Sequence, residues 1–332
     1  MAAGGTDIGR GRQHNEDNVL VRTDLQLYVL ADGAGGHNAG NVASALATTS
    51  VANHFEETEA LAASAPDIDA FGLFVGARRL AAAIQEANRD VIEIANTSNR
   101  RRGMGTTIVA LHAQPHTALL HLGHVGDSRC YRLRDGHLEL LTSDHSLLND
   151  VLEFRPDMDD ASLARLPRSV VTRALGMEEP VRVSIRTLTM LPGDRYLLCS
   201  DGLTDALEES AIGDALHTSR IPDEQVRLLI DLALNGNGQD NIAALVVACD
   251  AAAAPAAHPR RQIVVSPRVS APPAPDNADG GNSDGPEIMF ADKPGESDAD
   301  SSGSIHVVPA ESASDEVLDA LDGFVGPGRP RD

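Results

Sequence analysis

The chain reads as an α+β protein, with antiparallel strands in the middle and helices packed outside them. Three observations predict this. Short apolar runs with strand character come in consecutive groups, at 19–22, 26–32, 106–112, 117–126, 129–134, 137–141, 181–188, 194–200 and 241–248. Helical spacing is confined to 40–54, 69–97 and 222–234, so strands and helices do not alternate as a parallel sheet requires. The composition changes abruptly near Asp250.

Each element has its own warrant. "RCYRLRDGHLELL" is two alternating runs around Asp135-Gly136, a two-residue hairpin turn. "ALATTSVANHF" and "GARRLAAAIQEANRDVIEIA" repeat apolar residues at helical spacing. Leu27–Ala31 is an apolar strand that ends on Asp32 and a glycine cluster, "DGAGGH". That ending admits two readings. It is a turn, or it is a place where backbone and carboxylate approach something small and charged. The cluster is not G-x-G-x-x-G, and the element order excludes a dinucleotide-binding fold.

Beyond Asp250, "SAPPAPDNADGGNSDGPE" and "GESDADSSGS" are too poor in bulky apolar residues to offset chain entropy. The expected organisation is a folded domain over 1–250 and a disordered acidic Pro/Gly/Ser/Ala-rich tail over 251–332. Near 315–325 the tail carries one short amphipathic pattern. Ser314 or Asp315 is its N-cap, and Val317, Leu318, Leu321 and Val325 share one side. A docking peptide and an inert tail both remain open.

The 332 residues are 42% hydrophobic and only 3% aromatic, so the core is built from Ala, Val, Leu and Ile. A net charge of −22 argues against nucleic acid and anionic membranes as partners. Cys130, Cys199 and Cys249 are far apart and form no CxxC pair, which predicts reduced core residues in a cytoplasmic protein. No signal peptide or membrane-spanning run is recognised. With no heptad or large apolar stripe, a monomer is expected. Arg100-Arg101-Arg102 reads as a solvated loop. His121 and His124 read as structural or surface residues.

Other acids share the grammar of Asp32, lying at strand ends beside Gly or Asn. They are Asp201-Gly202, Asp240-Asn241, Gly126-Asp127 and the pair Glu16-Asp17. Five such sites in one domain exceed what turns explain. Acids gathered by a fold resist ionisation unless a cation joins them. Hard divalent cations with oxygen ligands, Mg²⁺ or Mn²⁺, fit that need. No Cys or His stands at zinc-ligand spacing.

Taken in order, Arg12–Asp17, Asp32-Gly33-x-Gly-Gly-His37, Gly105-Thr106-Thr107, Gly126-Asp127-Ser128-Arg129, Ser200-Asp201-Gly202-Leu203 and Asp240-Asn241 resemble the metal-dependent (PPM, type 2C) Ser/Thr protein phosphatases, bacterial branch. The resemblance covers about residues 4–248. Each motif is weak alone; six in order are highly specific. "TSDHSLLND" and "PRSVVTRALG" resemble the segment that bacterial members carry as a mobile flap.

The resemblance implies an αββα sandwich of two antiparallel sheets flanked by helix pairs, with two Mn²⁺ or Mg²⁺ ions at one end. By position, Asp32 bridges both metals and the Gly33 carbonyl binds the second. Asp201 and Asp240 complete the first shell, and Asp127 holds a third, weaker metal. Glu16 and Asp17 hold metal-bound waters, and Arg12 grips the phosphate. The implied reaction is direct attack of a metal-bound water on phosphoserine or phosphothreonine. The implied partners are phosphorylated proteins, Ser/Thr kinases and their substrates.

Two positions depart from the family. Ala34 stands where some members carry a His proposed as general acid, so no general acid carries over; His37 is either a loop-pinning or a catalytic residue. Ala243 replaces a Thr after Asp-Asn-Ile, which implies a small packing change. Three other readings have their own sequence signs. A phosphatase resetting a transcription regulator usually lacks several of these motifs, and no added sensor domain is present. A pseudophosphatase would have lost ligand acids. A structural Ca²⁺ loop would need D-x-[DN]-x-[DN]-G, which is absent.

Overall fold

The computed structural model describes residues 1–35, 39–63, 65–167 and 170–250. The tail, including 315–325, and His37 lie outside the described residues.

Eleven strands are described: β1 (Ala2–Asp7), β2 (Asp17–Arg22), β3 (Leu27–Ala34), β4 (Gly105–Thr106), β5 (Ile108–Gln114), β6 (Leu119–Val125), β7 (Arg129–Arg134), β8 (His137–Leu140), β9 (Ser184–Thr189), β10 (Arg195–Cys199) and β11 (Ile242–Ala248). One sheet runs β1-β11-β10-β7-β8. The other runs β2-β3-β5-β6-β9, with β4 paired to β3. Every strand pair is antiparallel.

The pleat explains the layers. Along β3, Leu27 and Val29 face one way and Tyr28 and Leu30 the other, because side chains alternate. Tyr28 and Leu30 join Tyr196, Leu198 and Leu245 in a core between the two sheets. Leu27 and Val29 pack under α1 (Ala39–Ala63) and α2 (Val75–Thr97). On the other sheet, Ile242, Ala244 and Val246 face α5 (Asp201–Ala206), α6 (Glu209–Thr218) and α7 (Pro222–Asn235). Strands buried on both faces read as continuous apolar runs, which is what β3 and β11 are. The αββα arrangement and the Asp135-Gly136 hairpin match expectation. Both turn residues have positive φ, 50° and 82°, as the tight turn demands.

Several elements differ from the sequence reading. β1, "AAGGTD", has no run of large or β-branched residues, yet pairs along β11. Gly4 and Gly5 lie tight against Leu245 and Val226, so a side chain there would crowd the neighbouring layers. α1 runs on to Ala63, nine residues beyond its apolar pattern, through an exposed Glu/Ala stretch of high helix propensity. α2 starts at Val75 rather than 69. The Asp69 carboxylate accepts from the N–H groups of Phe71 and Leu73 and holds a loop open there. α3 (Leu147–Phe154), α4 (Asp160–Leu163), α5 and α6 are additional short helices. All three cysteines are free, with Cys130 and Cys199 buried. Arg100–Arg102 form a turn that is largely exposed. His121 and His124 are structural and not surface residues. Both are buried; His121 bonds Gln114 and Thr187, and His124 bonds the Ser143 carbonyl. Ala243 is fully buried between the sheets, where a Thr hydroxyl would need a partner.

Candidate active site

The antiparallel topology brings five chain segments to one end of the sandwich. β2 begins there with Asp17 and β3 ends there with Asp32, the two being cross-strand partners. β10 ends there at Cys199 and hands the chain to Asp201 at the start of α5. Asp240 and Asn241 lead into β11, and Gly126-Asp127 turns β6 into β7.

Backbone bonds hold these acids in place. The N–H of Asp32 donates to the Thr107 hydroxyl at 3.1 Å, and its carbonyl accepts from Thr106 Oγ1 and Thr107 N, each at 2.8 Å. Thr107 Oγ1 is 2.7 Å from Ser128 Oγ, which ties in the Asp127 loop. Arg129 forks onto the Asp144 carboxylate and fixes that loop from the other side. Asn241 accepts from the Glu16 N–H at 2.9 Å and donates to the carbonyls of Ile8 and His14. It thereby clasps the loop that carries Arg12 and Glu16. Glu16 Oε1 accepts the N–H of Gly40, at the start of α1, at 3.1 Å. A Cβ on Gly40 would fall 2.6 Å from the Glu16 carboxyl carbon, and one on Gly33 would fall 2.1 Å from the Gly40 carbonyl oxygen. Glycine at both positions permits this approach.

The electrostatics are one-sided. Asp32 is raised well above the usual carboxylate range by burial, then by the charges of Asp17, Asp201 and Asp127. Asp17 is raised by burial and by Asp201 and Asp240, although the Ser200 hydroxyl donates to it at 2.8 Å. Asp201 is raised by burial, then by Asp240 and Asp205. Burial and Asp201 push Asp127 up to about 6. Asp32 is a neighbour of both Asp17 and Asp201, and the charges of both raise it. Arg12 donates to Asp240 at 2.7 Å and is half exposed.

These features fit hard cations. The donor set is oxygen, Asp17 Oδ1 is buried with no hydrogen-bond partner, and the acids can ionise together only beside positive charge. Among the described residues, no three His, Cys, Asp or Glu side chains stand ready in metal-ligand geometry. The acids meet instead as neighbours that raise one another.

Residues 5–227 match the family profile described as "Protein phosphatase 2C". The chain belongs to the protein phosphatase 2C family. It is 36% identical over 249 residues to the serine/threonine phosphatase stp of Listeria monocytogenes, spanning 74% of this chain and 94% of that one. It is 35% identical over 241 residues to the serine/threonine protein phosphatase PstP of Mycobacterium tuberculosis, spanning 73% of this chain and 43% of that one. A crystal structure of that M. tuberculosis phosphatase superposes with a TM-score of 0.63 at 33% identity, covering 74% of this chain and 97% of the other. The PstP catalytic domain in complex with two manganese ions gives 0.60 at 33% identity, covering 74% and 96%. The chain is thus a bacterial-type Ser/Thr protein phosphatase, a hydrolase of a metal-dependent family.

Asp17, Asp32, Asp127, Asp201 and Asp240 are brought into one electrostatic cluster, with Glu16 and Arg12 at its edge. The motifs contain Thr107, Ser128, Ser200 and Asn241 but give them no role in positioning these acids, and Gly40 is not singled out by the sequence at all. Sequence reasoning also missed Asp7, a buried acid at the end of β1 whose Oδ2 has no partner and whose Oδ1 accepts from Gly9 N. Asp7-Ile8-Gly9 follows the same acid-near-glycine grammar at a strand end, but β1 itself was illegible.

Proposed function

We propose that this phosphatase hydrolyses phosphoserine and phosphothreonine in proteins by direct attack of water, with no phosphoenzyme, using Mn²⁺ or Mg²⁺ held by residues of 1–250. The observation that carries this reading is the set of carboxylates Asp17, which is buried, and Asp32 and Asp201, which are half-buried, each raised by burial and by the charges of its acidic neighbours. Asp32, the Gly33 carbonyl, Asp201 and Asp240 would hold a metal pair, and Asp127 a third, weaker ion. When bound, the pair would supply acidified water and positive charge against the phosphoryl oxygens.

The chain's own groups do the rest. Arg12 presents a half-exposed guanidinium for charge-assisted bonds to the phosphate. A cleft of about 270 Å³ opens beside Arg12 and Asp240 and is lined also by Gly202, Asp205 and Asn237, which gives a phosphorylated side chain room. Asp17 and Glu16 would accept hydrogen bonds from ordered water at the site, with Asp17 oriented by Ser200. Ala34 offers no imidazole to the leaving alkoxide. The cysteines are unsuited to covalent chemistry, since burial pushes the Cys199 thiol up to about 12 and Cys130 higher still.

The substrates on this reading are phosphoproteins, including Ser/Thr kinases and the proteins they modify, met by a cytoplasmic monomer. The relatives are serine/threonine phosphatases, which supports the substrate class, and the free cysteines suit a reducing compartment. No helix among the described residues is long and apolar enough to cross a membrane. The test is turnover of a phosphothreonine peptide by the full chain in Mn²⁺, in chelator, and as Asp32→Asn in Mn²⁺. Turnover is expected only in the first. Equal turnover in chelator, or an unaffected Asp32→Asn enzyme, overturns the reading.

A further inference from the structure

We propose that His145 is a positioning residue of this phosphatase: through its imidazole Nδ1 it sets the Gly126–Asp127 turn and so presents the Asp127 carboxylate to a divalent cation. The inference rests on the reading of Asp127 as a cation ligand given above. His145 lies outside the acid cluster, between β8 and α3, and is 3% exposed. Its backbone N–H donates to the Gly126 carbonyl at 2.9 Å, and its Nδ1 accepts the Gly126 N–H at 3.1 Å. One residue thus holds both backbone polar groups of the residue before Asp127.

Gly126 needs that hold. Its φ is +105°, and a Cβ there would fall 2.7 Å from the Thr107 side chain. Only glycine fits, and glycine is the residue whose backbone restrains itself least. Partners must therefore fix the turn. Ser128 is tied to Thr107 at 2.7 Å. Asp144, the neighbour of His145, takes the Arg129 fork after the turn with bonds of 2.7 to 3.1 Å. His145 supplies the grip before it.

The ring is itself held from three sides. Nε2 lies 2.9 Å from Ser184 Oγ at the start of β9. One face stacks on His124 of β6, with centroids 4.6 Å apart and planes at 17°. The His145 carbonyl accepts the Thr172 N–H at 2.9 Å. The tautomer follows from these partners. A backbone N–H can only donate, so Nδ1 carries no hydrogen, and Nε2 carries it and donates to Ser184. Burial, then His124, Arg173 and Arg182, push the pKa of His145 down to about 3, which leaves Nδ1 free to accept.

Histidine accepts at its δ position and donates at its ε position at once. Asparagine reaches only the first position and glutamine only the second. That difference separates positioning from packing.

The test compares the full chain with full-length His145→Asn, His145→Gln and Asp127→Asn. It reads nitrogen-15 spectra without metal, then calorimetric Mn²⁺ titrations, so it stands apart from turnover. In the unaltered chain the His145 hydrogen is expected on Nε2. The Gly126 amide resonance should hold its place in His145→Asn and move in His145→Gln. Asp127→Asn should lose the weakest Mn²⁺ site. His145→Gln should weaken that site about tenfold, the usual scale for a group that orients a ligand, and His145→Asn should stay within about twofold of the unaltered chain. Equal weakening in His145→Asn and His145→Gln overturns the proposal in favour of packing alone. Unchanged affinity in both overturns it as well. A hydrogen on Nδ1 in the unaltered chain overturns it whether or not the variants fold. If Asp127→Asn keeps every Mn²⁺ site, the reading of Asp127 as a ligand falls and takes this inference with it.

Discussion

β10 begins beside a buried acid and ends beside a half-buried one, and the two are treated in opposite ways. Asp194, just before the strand, is 1% exposed and fully satisfied. Arg134 grips both its oxygens at 2.7 and 2.6 Å, Tyr196 donates to it at 2.9 Å, and the Leu191 N–H donates at 2.8 Å. Asp201, just after the strand, faces Asp32, Asp240 and Asp205, and the nearby Arg12 donates to Asp240 instead. The fold can neutralise a buried acid with a fork of donors, and does so 7 residues away. At the other end of the same strand the acids neighbour other acids, and their ionisation is disfavoured by burial and by one another. A satisfied acid is structure; an acid held among other acids is what the proposed function uses.

The contrast can be broken most severely at Asp32. Asp32→Asn is expected to lower kcat/KM by about 10³-fold or more, the scale of losing a charge-stabilising group at the reacting centre. In chelator its melting temperature is expected to rise, because a repelling charge is gone. A lowered melting temperature would make Asp32 a structural acid like Asp194. Asp194→Ala should behave in the reverse way. It is expected to cost about 3 kcal/mol in urea unfolding by stranding Arg134, while kcat of the folded fraction stays within about twofold.

A third prediction uses pH. The folded pKa values of Asp17, Asp32 and Asp201 lie above their unfolded values, so the folded state binds protons more tightly. That stabilisation is present at acid pH and is lost as pH rises through the folded values, up to about 8 for Asp17. Thermal denaturation in chelator should therefore show stability falling between about pH 4 and pH 8. Mn²⁺ should flatten the fall, and calorimetry in buffers of different ionisation heat should show protons released on binding. The smallest effect on stability is at Arg12. Its pair with Asp240 is half exposed, so Arg12→Ala should shift stability by less than about 1 kcal/mol. It should still reduce kcat/KM for a phosphopeptide by about 10-fold through the lost phosphate contact. An unchanged KM and kcat would remove Arg12 from the site.

The acids themselves were legible because each interrupts an apolar run beside Gly or Asn, and because the topology of antiparallel strands brings such ends together. Their supporters were not legible. Ser200, Thr107 and Ser128 are common residues whose roles depend on which strand lies opposite, and that is decided by register. The Arg12–Asp240 pair joins residues 228 apart, with no local signal in either. β1 was hidden because two glycines that let the layers pack closely also erase strand character. α3 was hidden for the opposite reason: it is too short for periodicity to distinguish it from a buried strand.

The pairing of β1 with β11, Ala2↔Val247 through Asp7↔Ile242, has a consequence for assembly. The first described strand has its partner in the last described strand. Closing so long a loop is slow compared with forming local hairpins such as β7–β8. On the ribosome, β1 and the Arg12–Asp17 loop must wait until β11 has emerged before they can be clasped by Asn241. The clasp of Asn241 on the Arg12–Asp17 loop therefore closes only once β11 is available.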